Sequence, residues 1–378
     1  MVVLHIITDL TKGGAELKMA RLIAAHRDRS DYVHKVISLR TVGPVGVHLL
    51  SLGVDVEALG MQRWLRVPVA IVQLRNRIRV IDPDVVQTWM YHADFFGGLA
   101  ARWAGKRAII WGVRLADLGP SLGISRLTTG IRHLCARISG IVPARIAYVA
   151  EAARQIHERL GYDPEKSVVI HNGYAVHENE KIQAWRRQRR AELGILPETI
   201  LIGTAGRFSP QKNFHGFVDA AGALARRHPN LHFLLAGRGL VRENEELAAW
   251  IARAGVGDRL TLLGERDDLI EWQAAMDIFA LFSNGEGMPN VVAEAMSVGI
   301  PCVVTDVGDA ALLVGNTGVV IQPRDGDALV AALERLAFAG AERRRLAAEA
   351  RARVLAEFSM NAAVARYESL YKDVVRVN

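Results

Sequence analysis

Short runs rich in β-branched residues alternate with longer stretches of helical apolar spacing along most of the chain, which predicts parallel sheets covered by helices on both faces. In a first series the candidate strands are Val2–Ile7, Val33–Ser38, Val85–Thr88, Ala108–Gly112, Ile146–Val149 and Val168–His171, with helical stretches such as Glu16–Ala25 and Phe95–Ala104 between them. A second series supplies Ile200–Ala205, Leu231–Ala236, Leu260–Leu263, Ile278–Phe282 and Cys302–Thr305. The pattern breaks near Gly173. From about Tyr174 to Leu196 it becomes a charged helical segment carrying Arg186, Arg187, Arg189 and Arg190, read as a connection with a solvated basic face. From Asp327 onward the spacing is almost wholly helical, which is more than the second sheet needs. The last helix, about Asn361–Val374, is therefore expected to cover the first domain. The expected organisation is α/β: a first doubly wound domain over 1–173, a linker over 174–196, a second doubly wound domain over 197–356 and a returning helix over 357–378. Two such domains facing each other would place a cleft at the carboxyl ends of both sets of strands, where open α/β sheets bind ligands.

Length and composition agree with two domains. The chain has 378 residues, half of them hydrophobic, beyond the size at which one core keeps growing. It has no apolar run long enough to span a bilayer, and no charged region precedes Val2-Val3-Leu4, so neither a membrane span nor a signal peptide is expected and the location is read as cytoplasmic. The two cysteines, Cys135 and Cys302, lie in apolar surroundings in different domains and are expected to be buried free thiols. The net charge of +7 is uneven: residues 1–172 hold 23 Lys and Arg against 14 Asp and Glu, and the remainder 24 against 26. A basic first half suits a phosphorylated acceptor or an anionic lipid surface. Nucleic acid is not expected, because the basic residues are not interleaved with an aromatic stacking pattern. Arg63-Trp64-Leu65-Arg66-Val67-Pro68 leads into an apolar helix with Arg75, Arg77 and Arg79, a composition fit for contact with the inner face of the cell membrane, or for a helix with a solvated basic face.

Candidate chemistry gathers after the predicted strands. Glu286-Gly287-Met288-Pro289-Asn290-Val291-Val292-Ala293-Glu294 sets two carboxylates eight positions apart across a loop-to-helix junction, with Pro289 suited to the first helical position. A helix start fed by Gly287 favours an anion such as phosphate, whereas Glu286 and Glu294 would repel it and suit the hydroxyls of a sugar or ribose. After Ile200–Ala205 come Arg207 and Lys212, which together could neutralise a departing nucleoside diphosphate. Thr11-Lys12-Gly13-Gly14-Ala15-Glu16 opens a helix after the first strand and allows close backbone approach to an anion. Its Gly-Gly spacing is not the dinucleotide fingerprint, and Arg40 stands where a ribose-binding acid would be wanted. Asp82-Pro83-Asp84 precedes its strand and so lies at the wrong end for a metal site at the cleft. Trp89-Met90-Tyr91-His92-Ala93-Asp94 follows the same strand and brings an imidazole and a carboxylate to the productive edge.

Taken together these motifs resemble retaining glycosyltransferases of family 4, with the GT-B architecture of two Rossmann-like domains facing across a cleft. The resemblance rests on Gly13-Gly14-Ala15-Glu16, Tyr91-His92-Ala93-Asp94, Val169-Ile170-His171-Asn172-Gly173, Gly206-Arg207 with Lys212-Asn213, and the segment from Leu262-Leu263-Gly264 through Asp277-Ile278-Phe279 to Glu286–Met296. It implies a nucleotide-sugar donor, a UDP-sugar favoured over a GDP-sugar, held mostly by the C-terminal domain. Arg207 and Lys212 then hold the diphosphate, Glu294 the ribose and Glu286 the sugar hydroxyls, assisted by Gly14, Gly287, Met288, Pro289 and Asn290. His92 matches a family position near the sugar. Lys12, Asp94 and Arg114 are assigned to the acceptor, a glycan or a polyprenyl-diphosphate-linked glycan of cell-surface polysaccharide biosynthesis. No metal or other cofactor is implied. The chain departs from the family pattern at Val149-Ala150-Glu151 and at Gly237-Arg238-Gly239. Two other readings stay open at this point: a sugar-nucleotide epimerase of the same fold, and a non-catalytic glycan- or nucleotide-binding module.

Overall fold

The computed structural model describes residues 1–26, 31–61, 67–114 and 125–376. The chain divides into two compact units, one of Met1–Gly173 with Met360–Asn378 and one of Tyr174–Ser359. In the first unit the strands are β1 (Val2–Ile7), β2 (Val33–Ser38), β3 (Asp55–Ala58), β4 (Val85–Trp89), β5 (Ile109–Val113), β6 (Arg145–Tyr148) and β7 (Ser167–Val169). They form a parallel sheet in the order β3-β2-β1-β4-β5-β6-β7. In the second unit β8 (Ile200–Ala205), β9 (Leu231–Ala236), β10 (Leu260–Gly264), β11 (Ile278–Leu281), β12 (Cys302–Thr305) and β13 (Val319–Ile321) form a parallel sheet in the order β10-β9-β8-β11-β12-β13. Each sheet winds both ways from its first strand, so the strand order reverses between β1 and β4 and between β8 and β11. The strands beside these reversals, such as Val85–Trp89 and Ile109–Val113, are buried along their whole length, as expected of sheets hidden on both faces.

Three sequence expectations are corrected. First, β3 and β13 escape the hydrophobic pattern: both are short edge strands, and β3 alternates Asp55 and Glu57 with only two apolar residues. Second, the stretch expected as one helix over Phe95–Ala104 is a π-turn, Ala93–Gly97, followed by the helix Gly98–Trp103. Gly98 sits so close to β5 that a Cβ there would lie 2.7 Å from Trp111 Nε1. Third, the segment read as a linker carries the helix Asn179–Leu193, which belongs to the second unit. Its arginines are not a solvated face. Arg186 and Arg190 both bind Asp277, at 2.6 and 3.1 Å, and Arg189 pairs with Asp268 at 2.8 Å while lying over the Trp272 ring. Arg187 stays exposed. The physical reason is the i, i+3, i+4 spacing of 186, 189 and 190, which puts three cations on one helix face toward the carboxylates before β11.

The helix Met360–Arg376 packs in the first unit. Val364, Tyr367, Leu370, Tyr371 and Val374 join that core, and the buried Tyr371 hydroxyl donates to Gln87 Oε1 at 2.5 Å. Beneath this helix lies a stack of buried histidines. Trp89 Nε1 donates to His5 Nδ1 at 3.1 Å, and His5 Nε2 and His34 Nδ1 are 2.9 Å apart. Since His5 Nδ1 accepts, the His5 proton sits on Nε2 and points at an acceptor on His34. The His26 ring stacks on His34 at 4.9 Å and on Tyr32 at 5.0 Å. The hydrogen bonds of His5 with Trp89 and His34 work only with those two histidines neutral. Burial, and then the neighbouring histidines, push His5 well below its ordinary range; burial and His26 push His34 down to about 3.

A histidine depressed in the folded state adds nothing to the pH dependence above its unfolded value near 6.5, and it costs stability as pH falls below that value. His34 alone should remove about 1.4 kcal/mol per pH unit through this window. Calorimetry of the intact chain between pH 7 and 4.5 is expected to show the first unit losing stability steeply, with a shallower slope in His34→Leu. An unchanged slope in that variant would contradict the neutral stack.

Candidate functional site

Because every strand of the second unit is parallel, the loops after β8, β9, β10, β11 and β12 leave the sheet at one edge. At the β8/β11 reversal the turn Pro210–Lys212 meets the loop after β11. The side chain of Lys212 passes over Gly206, and its Nζ lies 2.6 Å from Glu286 Oε1. Ser283 Oγ donates to the same oxygen at 2.6 Å. Gln211 Nε2 donates to the Gly285 carbonyl at 2.7 Å and Asn284 N to the Gln211 carbonyl at 2.7 Å, so the two loops are stitched along their length. The pair is largely sheltered, with Glu286 8% and Lys212 19% exposed. Sequence reasoning assigned these residues to different parts of one ligand; the structure places them in direct contact. Glu286 Oε2 accepts no hydrogen bond from the described residues.

The backbone around the pair is tightly set. Gly308 has φ +55°, and a Cβ there would lie 2.3 Å from the Glu286 carbonyl oxygen. Asp309 N donates to the Gly287 carbonyl at 2.8 Å. Gly237, at φ +143°, approaches β8 so closely that a Cβ would lie 1.9 Å from the Gly206 carbonyl oxygen. Only glycine fits these positions. The amides of Gly287 and Met288 donate to none of the described residues. The helix that follows is Asn290–Ser297, with Pro289 as its cap and not its first residue, a shift of one position from expectation. Tyr174 Oη donates to Asn290 Oδ1 at 2.8 Å. Glu294 lies one turn into the helix and is half-buried. Arg207 is exposed after β8 and forms no ion pair with the described residues; Arg238 is in the same condition after β9.

In the first unit the corresponding reversal lies between β1 and β4. Gly14 begins the helix Gly14–His26 and is exposed, with open space where a Cβ would stand; Lys12 before it is also exposed. Sequence reasoning overlooked Asp9, and it noted Arg40 without its partner. Asp9 follows β1, accepts from Thr41 Oγ1 at 2.5 Å and faces Arg40 at 3.8 Å. Position just past a strand end was the signal that could have found Asp9. His92 is half-buried, and burial first, then Arg40, lowers its pKa, so it is a neutral imidazole at physiological pH. At the start of the helix Gly14–His26, burial and then Asp9 raise the pKa of Glu16, although its own backbone amide opposes the shift.

Among the acceptor assignments, that of Asp94 is corrected. Asp94 is fully buried and accepts from Thr88 Oγ1 at 2.5 Å and from Gly112 N at 3.3 Å, so it faces the interior between β4 and β5 and not a ligand. The Arg114 guanidinium lies 4.4 Å from the Trp89 ring and donates to the Tyr367 hydroxyl, which commits it to holding the C-terminal helix. Asp82 and Asp84 are also engaged, with Lys106 at 2.5 Å and with the Val2 amide at 2.6 Å. Cys135 and Cys302 are buried free thiols.

Residues 12–178 match the family model described as Glycosyltransferase Family 4, and residues 199–338 match the one described as Glycosyl transferases group 1. A lipopolysaccharide core biosynthesis mannosyltransferase, LpsB of Rhizobium meliloti, is 35% identical over 50% of this chain, a stretch that spans 56% of that protein. The UDP-Gal:alpha-D-GlcNAc-diphosphoundecaprenol alpha-1,3-galactosyltransferase of Escherichia coli is 29% identical over 71% of this chain and 70% of its own length. Among solved structures, Anabaena HepE in complex with UDP superposes with a TM-score of 0.81 over 99% of this chain and 100% of that one, at 22% identity. The chain belongs to glycosyltransferase family 4 and has the GT-B fold.

Proposed function

We propose that the chain transfers a hexose or N-acetylhexosamine from a nucleotide-diphosphate sugar, a UDP-sugar in preference to a GDP-sugar, to a glycan or polyprenyl-diphosphate-linked acceptor of cell-surface polysaccharide biosynthesis, with retention at the anomeric carbon. The observation that carries this reading is the sheltered Lys212–Glu286 pair, with the exposed Arg207 and the Gly287 and Met288 amides on the same sheet edge. Names of similar proteins support the substrate class: one acts with UDP-Gal and a diphosphoundecaprenol acceptor, and another was solved with UDP.

In this reading Arg207 and Lys212 meet the diphosphate, and Lys212 exchanges part of its contact with Glu286 for a phosphate oxygen. Glu286 keeps the Ser283 hydrogen bond and turns its free Oε2 to a hydroxyl of the donor sugar. Glu294 takes the ribose hydroxyls, and the neutral His92 acts as a hydrogen-bonding group to the sugar. The bond from the anomeric carbon to the phosphate oxygen breaks while a bond from that carbon to the acceptor oxygen forms on the same face. The acceptor proton passes to the departing phosphate oxygen. Two fixed cations and two amides aimed at the charge developing on that phosphate supply the electrostatic stabilisation, so no metal is assigned a role.

The basic first unit is the proposed membrane-facing part. Along the helix Val67–Ile81, Val69, Val72 and Val80 are exposed beside Arg79. Arg77 is instead tied to Glu57, and Arg75 lies over the Trp103 ring at 4.7 Å. Residues 63–66 of the motif singled out in the sequence lie outside the described residues. No described helix is long and apolar enough to cross a membrane.

A thermal-shift panel of UDP-, GDP- and ADP-sugars, followed by transfer assays with the best donor, tests the assignment. UDP at a hundred times its Kd should add about 2.7 kcal/mol to stability. Glu286→Gln and Lys212→Ala should each lower kcat/KM by roughly 10²–10³-fold. No shift with any nucleotide at millimolar concentration, or full transfer activity in both variants, would refute the site; conversion of the donor alone into another nucleotide sugar would identify an epimerase instead.

Binding to anionic vesicles is a separate expectation. Sedimentation with phosphatidylglycerol vesicles at low salt should recover the chain with the lipid, and Val69→Asp with Val80→Asp should leave it in the supernatant. Equal recovery of the double variant would remove this helix from the membrane contact.

A further inference from the structure

The turn that carries His92 is strained and held by one buried carboxyl. Met90, directly after β4, has φ +73°, a left-handed conformation unfavourable for a residue with a Cβ. Around it, the Met90 amide donates to the Gly112 carbonyl at 3.0 Å and the Asp94 amide to the Met90 carbonyl at 2.9 Å. Asp94 Oδ1 accepts from Thr88 Oγ1 on β4 and from the amide of Gly112 on β5. The contact is close: a Cβ on Gly112 would lie 2.6 Å from the Thr88 carbonyl oxygen. The end of β4, the end of β5 and the π-turn Ala93–Gly97 therefore meet at one side chain, and His92 sits between the strained residue and that side chain.

We propose that Asp94 is a positioning residue for glycosyl transfer, its buried carboxyl fixing the Met90 turn and so the place at which His92 presents its imidazole. This rests on the assignment of His92 to the donor sugar. Both donors converge on Oδ1, and Oδ2 is buried without a hydrogen-bond partner among the described residues. That asymmetry suits a neutral acid with its proton on Oδ2 and is costly for a carboxylate. The groups that face it are Tyr91 on its own turn, Cys135 on the helix Arg126–Ile138, Tyr148 on β6, Tyr162 after the helix Glu151–Arg159, and the cation Arg114 after β5. Burial raises its pKa to about 7 against the opposing pull of Thr88, Gly112 and Arg114. Thr88, Gly112 and Arg114 hold the ionised carboxyl more strongly than the neutral acid, so the hold on His92 tightens as pH rises.

The test uses the intact chain, with the His92 imidazole followed by NMR and transfer measured with the best donor from the panel above. Asp94→Asn keeps an accepting oxygen and is neutral, so it should hold the His92 resonance and kcat at their neutral-form values and abolish their pH dependence near pH 7. Asp94→Ala should displace the resonance and lower kcat by about tenfold or more, with KM for the donor changed less. Thr88→Val removes one tie and leaves the carboxyl, which keeps the test open if the alanine variant fails to fold; it should fall between. An unmoved His92 resonance with unchanged kcat in Asp94→Ala, or in Thr88→Val where the former does not fold, overturns the proposal. If the wild type turns over no nucleotide sugar, the donor assignment falls, and the His92 resonance in the same variants decides the positioning role by itself.

Discussion

A parallel sheet hides both faces under helices, so its strands can carry little polar chemistry along their length. Polar groups that serve a ligand are pushed to the strand ends, and in each unit here every strand ends at the same edge. That constraint accounts for the placement of Asp9, His92, Arg207, Lys212 and Glu286, each of which stands within a few residues of a strand terminus. It also accounts for the glycines. Where neighbouring strands end side by side, their loops must cross at backbone distance, and Gly237 and Gly308 mark two such crossings.

At the edge of the second unit the dominant interaction is an ion pair with little access to water. Two sheltered opposite charges cost less together than apart, and truncating one strands the other. The pair therefore holds both loops in register before any ligand arrives. Arg207 has no such partner among the described residues.

Much of this was legible in the amino-acid pattern, and the failures have identifiable physical causes. Central strands declare themselves because both faces are buried; β3 and β13 do not, since an edge strand of three or four residues needs little apolar content. The strand-end rule located Lys212 and Glu286 but could not show that they touch, because their contact depends on the crossing of two loops far apart in sequence. The same rule misassigned Asp94. Position at an edge does not say which way a side chain turns, and the π-turn after Met90 rotates this one inward. The arginines of the Asn179–Leu193 helix carried a readable signal in their spacing, which a count of charges obscures.

The C-terminal helix has a consequence for synthesis. The core of the first unit includes Tyr367, Leu370, Tyr371 and Val374, residues translated after the whole second unit. Chains emerge at roughly 5–20 residues per second, so the seven-strand sheet waits through the production of another domain before this helix can cover its histidine stack. The second unit, continuous in sequence, can close first. The first unit therefore stays incomplete until its last helix has been made.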